Sequence, residues 1–398
     1  MPFFQKEKML ATAITVDQLS EKTVVEKQKI FFPNLDGLRF FSFLIVFFAH
    51  IFATDFDHIK QQGWYKIFKG KLFYDGDIGV SFFFVLSGFL ITYLLIKEKE
   101  YTGTVHVFSF YIRRALRIWP LYYFMVLFGF VAFPFFKSLF GEIPNETANP
   151  LLCSIFLNNF DRVINGPPDS SVLSVLWSVA IEEQFYLIWP VLFFLVKPRY
   201  YIYLFLAIIM GSLVFRALFI DKKIELLTPG VIGDMAIGGL AAYLSIANKW
   251  FLKLVENSNK IVNLIPYLAA ILFVIYKDEI FAAPILTVAK RVIISFFFAW
   301  IILEQNFCKR SLFKVSSLKT VTQLGKYTYG LYCLHRIAIL IVMTLMQVLH
   351  INEEAWQLWL IELPASLLLS IVISYYSYKY FESYFLKLKD KFAYIVKQ

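Results

Sequence analysis

Charged side chains are scarce in this sequence. Only 17% of its 398 residues are charged and 59% are apolar, whereas an ordinary soluble domain has about 25% charged and about 45–50% apolar residues. The mean hydropathy is +0.63, and the chain contains 45 Phe, 23 Tyr and 8 Trp. This excess of apolar and aromatic surface excludes an ordinary water-soluble fold and predicts that lipid covers most of the chain.

Features of several other protein classes are also missing. The cysteines Cys153, Cys308 and Cys333 lie far apart, so neither a disulfide framework nor a zinc or redox site is predicted. Residues 1–30 lack the apolar stretch of a cleaved signal peptide. The sequence has no Walker loop, HExxH or GxSxG motif, and no bound metal or cofactor is predicted. The formal charge of +10 indicates basic cytoplasmic loops rather than a nucleic-acid partner, which is not expected.

Ten apolar stretches recur along the chain, each close to the roughly 20 residues that a helix needs to cross the hydrocarbon layer. They are continuous runs such as FFFVLSGFLITYLLI, without the strict alternation of a membrane β-barrel strand. The predicted spans are Leu38–Phe56, Asp77–Ile96, Ile118–Phe136, Leu176–Val196, Tyr200–Ile220, Gly230–Ala247, Ile261–Tyr276, Ile285–Leu303, Lys326–Leu349 and Gln357–Tyr380. The shorter stretch Leu151–Phe160 is predicted to be interfacial or re-entrant. We therefore predict an all-α polytopic membrane protein with about ten transmembrane helices.

The distribution of Lys and Arg between the loops predicts the orientation of the spans. The amino-terminal segment, alternate loops and the tail together carry 24 of these residues, and the intervening loops carry 9. Because positive residues concentrate on the cytoplasmic side, both termini are predicted to be cytoplasmic. The predicted organisation is a cytoplasmic segment over residues 1–36, one membrane domain over 37–384 and a cytoplasmic basic tail over 385–398.

Two ionisable side chains of the first predicted span share one helix face. Arg39 and His50 are eleven residues apart, which is about 20° more than three full turns, so they lie about 16 Å apart along the axis. Ionisable groups inside a span are expensive and usually mark a pathway or an active site. A snorkelling Arg and a structural His would produce the same pattern.

A basic cluster precedes the third predicted span on the predicted cytoplasmic side. Arg114 and Arg117 are one helical turn apart, so their two guanidinium groups can face one phosphate. Arg113 adds a third positive charge. The positive-inside rule, or binding of lipid headgroups, would explain the same cluster.

Two adjacent carboxylates lie within the fourth predicted span. Glu182 and Glu183 are predicted about 9 Å below the outer surface, at nearly the depth of His50. Carboxylates inside a span are rare unless they have a function. The sequence therefore predicts a polar cavity that opens outward, in which one of these two carboxylates faces His50.

Other ionisable residues give weaker signals. His335 and Arg336 lie near mid-membrane in the ninth predicted span, where packing by hydrogen bonds is as good an explanation as chemistry. His50 and Asp55 match the HxxxxD pattern of soluble glycerolipid acyltransferases, but five residues of helix turn their side chains about 140° apart. Asp55 and Asp57 match the metal-binding DxD pattern of membrane glycosyltransferases, a frequent chance match.

Six segments contain these polar residues in a fixed order. FPNLDGLRFFSFLIVFFAH has ten residues between its Arg and its His, and GVSFFFVLSGFLIT, FYIRRALRIWPLYY, LWSVAIEEQFYLIWP, GKYTYGLYCLHRIAIL and YYSYKYFESYFLK follow. With these segments the chain resembles the acyltransferase 3 family of integral membrane acyltransferases over nearly its whole length. That family's ten-span core with a cytoplasmic amino terminus agrees with the charge count.

The resemblance implies transfer of an acyl group, most often acetyl, from cytoplasmic acyl-CoA across a bacterial cytoplasmic membrane. The expected acceptor is a hydroxyl of a surface polysaccharide, a lipid-linked glycan or a similar molecule. Membrane lipid is expected to surround the protein as a further partner. Some family members have a second, extracytoplasmic hydrolase-like domain, which is not found in this chain. A separate acyl-accepting protein is therefore a further expected partner.

The resemblance also assigns roles to residues. It implies that His50 is catalytic, that Arg39 is its partner on the same span, and that Arg114 and Arg117 bind the donor. Glu182 matches the Glu of the WSxxxE motif. The remaining site residues expected are the catalytic Glu183 and the supporting Arg113, His335 and Glu382.

Two mechanisms and two other functions stay open from the sequence. The preferred mechanism has His50 as general base on the acceptor hydroxyl, held by Glu182 or Glu183, and an acyl-His intermediate is equally allowed. A lipid-glycan transporter would also need an outward polar cavity. A metal-dependent glycosyltransferase would use Asp55 and Asp57.

Overall fold

The computed structural model describes residues 30, 32–74, 76–220 and 223–392, and every regular element within these ranges is helical. Ten long helices, α1 to α10, are joined by short helices and loops. They are α1 (Pro33–His50), α2 (Asp77–Thr102), α3 (Val107–Leu127), α4 (Leu176–Leu195), α5 (Tyr201–Leu218), α6 (Thr228–Ala247), α7 (Lys260–Ile280), α8 (Pro284–Phe307), α9 (Thr328–Val348) and α10 (Leu363–Tyr376).

Shorter helical turns connect or extend the long helices. The α-helical ones are Asp57–Lys60, Gly63–Ile67, Phe133–Leu139, Pro150–Ser154, Asn158–Asn165, Lys249–Asn257, Lys319–Gly325, Ala355–Gln357 and Ser383–Lys389. The π-helical turns are Phe68–Leu72, Phe128–Ala132, Leu358–Glu362 and Ser377–Glu382. The 3₁₀ turns are Leu173–Val175, Pro198–Tyr200, Ile224–Leu226, Val315–Ser317 and Asp390–Phe392.

Nine helical stretches of the described chain are long and apolar enough to cross a membrane, and they include every long helix from α2 to α10. Helix α1 is not one of the nine; it contains the ionisable residues Asp36, Arg39 and His50. It packs against α2 and α9. The prediction of an all-α polytopic membrane protein is confirmed, whereas the orientation of its termini stays a prediction.

Two helix boundaries differ from the prediction in ways that move the site. Helix α1 ends at His50 and not at Phe56, because Phe52 has a positive φ of 62° that no helix can accommodate. Helix α3 begins at Val107 and not at Ile118, so Arg114 and Arg117, which were predicted to precede the third span, lie within its helix. The two arginines are therefore held on a rigid element.

Helices α2 and α6 form the most extensive helix pair of the bundle. Gly88 of α2 and Gly238 of α6 lie where the two backbones meet, and a Cβ atom at either position would overlap the backbone of the other helix. Small residues at such contacts let membrane helices approach closely. This pair supports one wall of the bundle on which α1 packs.

Within the described part of the chain, residues 32–392 belong to one compact unit. Most of the predicted amino-terminal segment, residues 1–36, lies outside the described residues, as do residues 393–398 of the predicted tail. The described part of that tail includes the helix Ser383–Lys389, which packs against α3.

Candidate active site

The imidazole rings of His50 and His335 pair at the end of α1. His50 Nδ1 lies 2.8 Å from His335 Nε2, and the rings are stacked with their centroids 5.1 Å apart. His335 is completely buried, and its Nδ1 lies 2.8 Å from the carbonyl oxygen of Tyr332. A carbonyl oxygen only accepts, so Nδ1 of His335 bears a proton and donates it to Tyr332.

This hydrogen-bond chain determines the protonation of the neutral pair. With its proton on Nδ1, neutral His335 has only a lone pair on Nε2, which can accept but not donate. His50 must then donate from Nδ1, which leaves Nε2 of His50 unprotonated. The hydrogen bond made by one ring nitrogen thus sets the role of the other, and His50 has a basic nitrogen suited to removing a proton.

The predicted contact between His50 and Glu182 or Glu183 is wrong, because the hydrogen-bond partner of His50 is His335. The physical reason is the early end of α1. His50 is the last residue of α1. Glu182, by contrast, lies six residues inside α4, which is about 9 Å from the start of α4 at Leu176.

The two carboxylates lie instead near the arginines. Glu182 accepts hydrogen bonds from Ser87 Oγ at 2.8 Å and from the Tyr186 hydroxyl at 3.2 Å, and it lies within electrostatic range of Arg39 and Arg114. Glu182 therefore belongs to a different part of the site from His50.

Glu183 has a different set of contacts. One of its carboxylate oxygens accepts from Trp119 Nε1 at 3.0 Å. The other is buried without a hydrogen-bond partner among the described residues. Arg114 and Glu182 are the charged groups near it. Glu183 is thus also remote from the histidine pair.

The chain reverses directly after His50, and three side chains hold this turn. The backbone N–H of Phe52 donates to Glu362 Oε1 at 3.0 Å, and the Tyr65 hydroxyl donates to the Phe52 carbonyl at 3.0 Å. Lys69 Nζ donates to two carbonyl oxygens at the end of α1, at 2.6 and 2.8 Å. Such contacts are needed because a bulky residue at positive φ is strained.

A polar cavity of about 620 Å³ adjoins His50. Its wall comes from the end of α1, the segment that follows it, and the part of α9 that begins at Arg336. Residues that contribute to it include His50, Thr54, Lys69, Arg336, Gln347 and Glu353. A cavity of this volume is within the range of small-molecule sites, so a small molecule can lie beside His50.

Three of the predicted donor residues come together away from this cavity. Arg39 pairs with Asp36 at 2.8 Å and lies within electrostatic range of Arg117, as Arg114 does. The guanidinium of Arg114 stacks over Tyr186, 5.4 Å from the ring centroid. Its Nε is buried without a hydrogen-bond partner in the described chain. Arg114, unlike Arg39, pairs with no carboxylate among the described residues, and a guanidinium with unused donors is well suited to bind phosphate.

The supporting residues divide between these two places. Arg113 pairs with Glu98 at 2.9 Å and donates to the Phe392 carbonyl, so its guanidinium is already engaged. Glu382 accepts from Ser377 Oγ at 3.0 Å and lies near Arg117. His335, by contrast, is the direct partner of His50.

The residues of the glycosyltransferase alternative are both exposed. Asp55 and Asp57 lie in and after the turn that follows α1, and only Asp55 contributes to the cavity wall. Within the described ranges no group of three or more His, Cys, Asp or Glu side chains is arranged to hold a metal ion.

Sequence comparison decides the family. A sequence model described as an acyltransferase domain, that of acyltransferase 3, matches residues 32–379, which contain every site residue named above except Glu382 and Phe392. The chain belongs to the acyltransferase 3 family. The predicted resemblance is thereby confirmed, and the matched region of the chain is an acyltransferase domain.

Named relatives come from bacteria. The peptidoglycan O-acetyltransferase OatA of Listeria monocytogenes is 33% identical over 176 residues, 42% of this chain and 25% of the relative. The putative peptidoglycan O-acetyltransferase YrhL of Bacillus subtilis is 34% identical over 181 residues, 43% of this chain and 24% of the relative. A putative O-acetyltransferase of Staphylococcus aureus strain COL, SACOL0978, is 31% identical over 189 residues, 44% of this chain and 27% of the relative.

The chain thus spans about a quarter of the length of these relatives. No solved structure matches it. Together with the membrane-capable helices, the bacterial relatives establish the acyltransferase 3 protein as a multi-pass protein of a bacterial cell membrane.

Sequence reasoning missed the groups that surround His50 apart from His335. Lys69 and Glu362 were not identified. Glu362 is an ionisable residue inside an apolar run, which is a signal of function, whereas Lys69 lies between Lys66 and Lys71 and gives no such signal. Arg336 was noticed without a role. Only the structure shows that all three lie around the end of α1.

Proposed function

We propose that the protein transfers an acyl group, namely acetyl, from cytoplasmic acyl-CoA to a hydroxyl of a cell-surface polysaccharide of the peptidoglycan type. Family membership and the names of the relatives support the reaction class and the acceptor. The observation that carries the proposal is the His50–His335 pair beside a cavity of about 620 Å³, because it leaves one basic nitrogen next to space for an acceptor.

The chemical step is an acyl transfer with His50 as general base. His50 Nε2 takes the proton of the acceptor hydroxyl while the hydroxyl oxygen attacks the thioester carbonyl carbon. The C–S bond then breaks, and the thiolate of CoA leaves and takes the proton from His50. The ester and free CoA thiol are the products, and His50 returns to its neutral form.

The donor binds at the arginine cluster. The phosphates of acyl-CoA interact with Arg114 and Arg117, whose guanidinium groups donate no hydrogen bond to any other described residue. Arg39 lies about 16 Å from His50 along α1, a distance that the long, thin pantetheine arm can cover. Glu182 lies within electrostatic range of Arg39 and Arg114, and we assign it and Glu183 to this donor side.

Esterified acyl groups on the polysaccharide give the decisive measurement. A strain lacking the chain is complemented with the wild type, with His50→Gln or with His58→Gln. His58 is the matched control because it is an exposed histidine whose ring contacts a loop carbonyl and the Phe56 ring and not His335. Base-released acetate and the glycan mass should fall in the deletion strain and in His50→Gln, and recover with His58→Gln. Full ester content with His50→Gln would contradict the proposal.

A second measurement separates transfer from the transporter alternative. Proteoliposomes with labelled acetyl-CoA inside should release CoA only when an acceptor glycan is present outside. Movement of a lipid-linked glycan without consumption of acetyl-CoA would support a transporter. Acyl transfer to an added acyl-accepting protein and not to glycan would indicate that a second protein receives the acyl group and completes the reaction.

A further inference from the structure

Arg336 is a cation in the wall of the His50 cavity, and no described residue is its acidic partner. Its Nε donates to the Ser171 carbonyl at 3.2 Å, and no described residue accepts a hydrogen bond from either Nη atom. It also forms no ion pair within the described part of the chain. The guanidinium is partly buried and contributes to the cavity wall together with His50. Two donors of a planar fork are therefore available to whatever occupies the cavity.

The other charges around the cavity do not neutralise Arg336. Lys69 already donates to the two carbonyl oxygens that end α1 and lies near Glu362. The charged group that acts most on Arg336 is Arg162, a second cation. Asp77 lies within electrostatic range of Arg162, whereas no carboxylate of the described chain pairs with Arg336.

Acidic residues of the cavity lie at its exposed rim. Asp55 is exposed, and Glu353, whose side chain is 52% exposed, faces His350 at 3.6 Å. Water and salt screen exposed charges strongly and buried ones much less. These acids therefore cannot replace a direct partner for Arg336.

A guanidinium in the membrane region without a counter-ion is expensive and usually belongs to a substrate path. Carboxylate and phosphate fit its two parallel N–H donors best. Because the hydroxyl to be acylated has to reach His50 in the same cavity, the anion that meets Arg336 and the reacting hydroxyl can belong to one acceptor molecule.

We propose that Arg336 binds a carboxylate or phosphate group of the acceptor, so that the substrate is an anionic glycan. This inference rests on the proposed function and narrows its substrate class. Arg336 then acts in acceptor recognition, and the donor is recognised separately by the cluster around Arg114 and Arg117. An anionic lipid headgroup has the same chemistry, and the experiment below distinguishes it from the acceptor.

The test compares two acceptors that differ in one charge. The first is a glycan strand of peptidoglycan freed of its peptides, which exposes the lactyl carboxylate of each muramic acid, and the second is the same strand with those carboxylates converted to carboxamides. We expect the wild type to prefer the carboxylate form about tenfold or more in kcat/KM, the effect of one charge-assisted hydrogen bond. Arg336→Gln should lose this preference by reacting more slowly with the carboxylate form alone.

Two variants and a change of lipid complete the test. Arg336→Lys should keep part of the preference, because Lys retains the charge and loses the fork. The matched control is Arg199→Gln, since Arg199 is exposed and stacks only on Tyr200. Each variant is assayed in vesicles of neutral lipid and in vesicles with anionic lipid. A defect of Arg336→Gln that depends on the lipid charge and not on the acceptor charge would overturn the proposal in favour of a headgroup site.

Other outcomes overturn the inference in distinguishable ways. If Arg336→Gln lowers kcat/KM equally with both acceptors, Arg336 acts on the chemical step or on folding and does not recognise the acceptor charge. The proposed acyl transfer would not be affected by that result. Failure of the wild type to acylate either glycan would refute the proposed function, and this inference with it.

Discussion

Replacing His335 by leucine tests the protonation of His50 directly. Leucine cannot accept the 2.8 Å hydrogen bond from His50 Nδ1, and its apolar side chain suits a position that is completely buried. A hydrogen bond between neutral groups is worth a net of about 0.5–1.5 kcal/mol. Its loss should reduce the population of correctly oriented and protonated His50 by about 2- to 13-fold.

We therefore expect His335→Leu to lower kcat by that factor, whereas His50→Ala should lose the roughly 10²- to 10⁴-fold contribution of a general base. His335→Gln should recover much of the loss, because its amide oxygen can accept near the position of Nε2. The KM for acyl-CoA should not change, since the donor arginines lie away from the histidine pair. The assay is transfer of labelled acetyl from acetyl-CoA inside proteoliposomes to external glycan.

A double variant decides whether His335 acts through His50. If it does, His50→Ala combined with His335→Leu should be no slower than His50→Ala alone, because coupled residues are not additive. Multiplied losses would refute the tautomer argument, and a loss in His335→Leu as large as in His50→Ala would make His335 itself the base. Met346→Leu, a buried change on the same helix, controls for repacking of α9.

Three further predictions cover the rest of the site. Arg114→Ala and Arg117→Ala should each raise the KM for acyl-CoA, and Arg117→Lys should recover it only in part because Lys lacks the fork; an unchanged KM in both Ala variants would remove the donor role. Glu362→Gln should keep activity, since its amide oxygen can still accept from the turn after α1, whereas Glu362→Leu should lower kcat about tenfold; equal activities would contradict a positioning role. Cysteine at Asn145 should react with an impermeant thiol reagent in intact cells and cysteine at Ser317 should not, and the reverse would invert the orientation.

The long helices could be predicted from the sequence because lipid selects for continuous apolar length. The predicted span Gly230–Ala247 differs from α6 by two residues at one end. The end of α1 could not be predicted in this way, because Ile51 and Phe52 continue the apolar run. The helix stops there through a contact with Glu362, which is 310 residues away in the chain, and no local pattern reports it.

The candidate site could be predicted only in part from the sequence. The common face of Arg39 and His50 follows from helical spacing alone, and it needs no knowledge of the other helices. The partner of His50 required the tertiary structure, because His335 is 285 residues away. Glu182 was expected to be the partner because its predicted depth in the membrane was close to that of His50. Helix α1 ends at His50 and not at Phe56, and this difference separates His50 from Glu182.

Helix α1 contains both Arg39, on the proposed donor side, and His50, beside the proposed acceptor cavity, and it is held at both of its ends. At its start, the buried Asn34 donates to a carbonyl oxygen of the α8 end at 2.7 Å and accepts a backbone N–H at 2.9 Å. At its other end, Glu362 holds the strained turn at Phe52. A helix fixed in this way keeps Arg39 and His50 at a constant separation of about 16 Å. In the proposed mechanism the length of the donor, rather than movement of α1, brings the thioester to His50. We therefore expect acyl groups on carriers shorter than CoA not to reach His50.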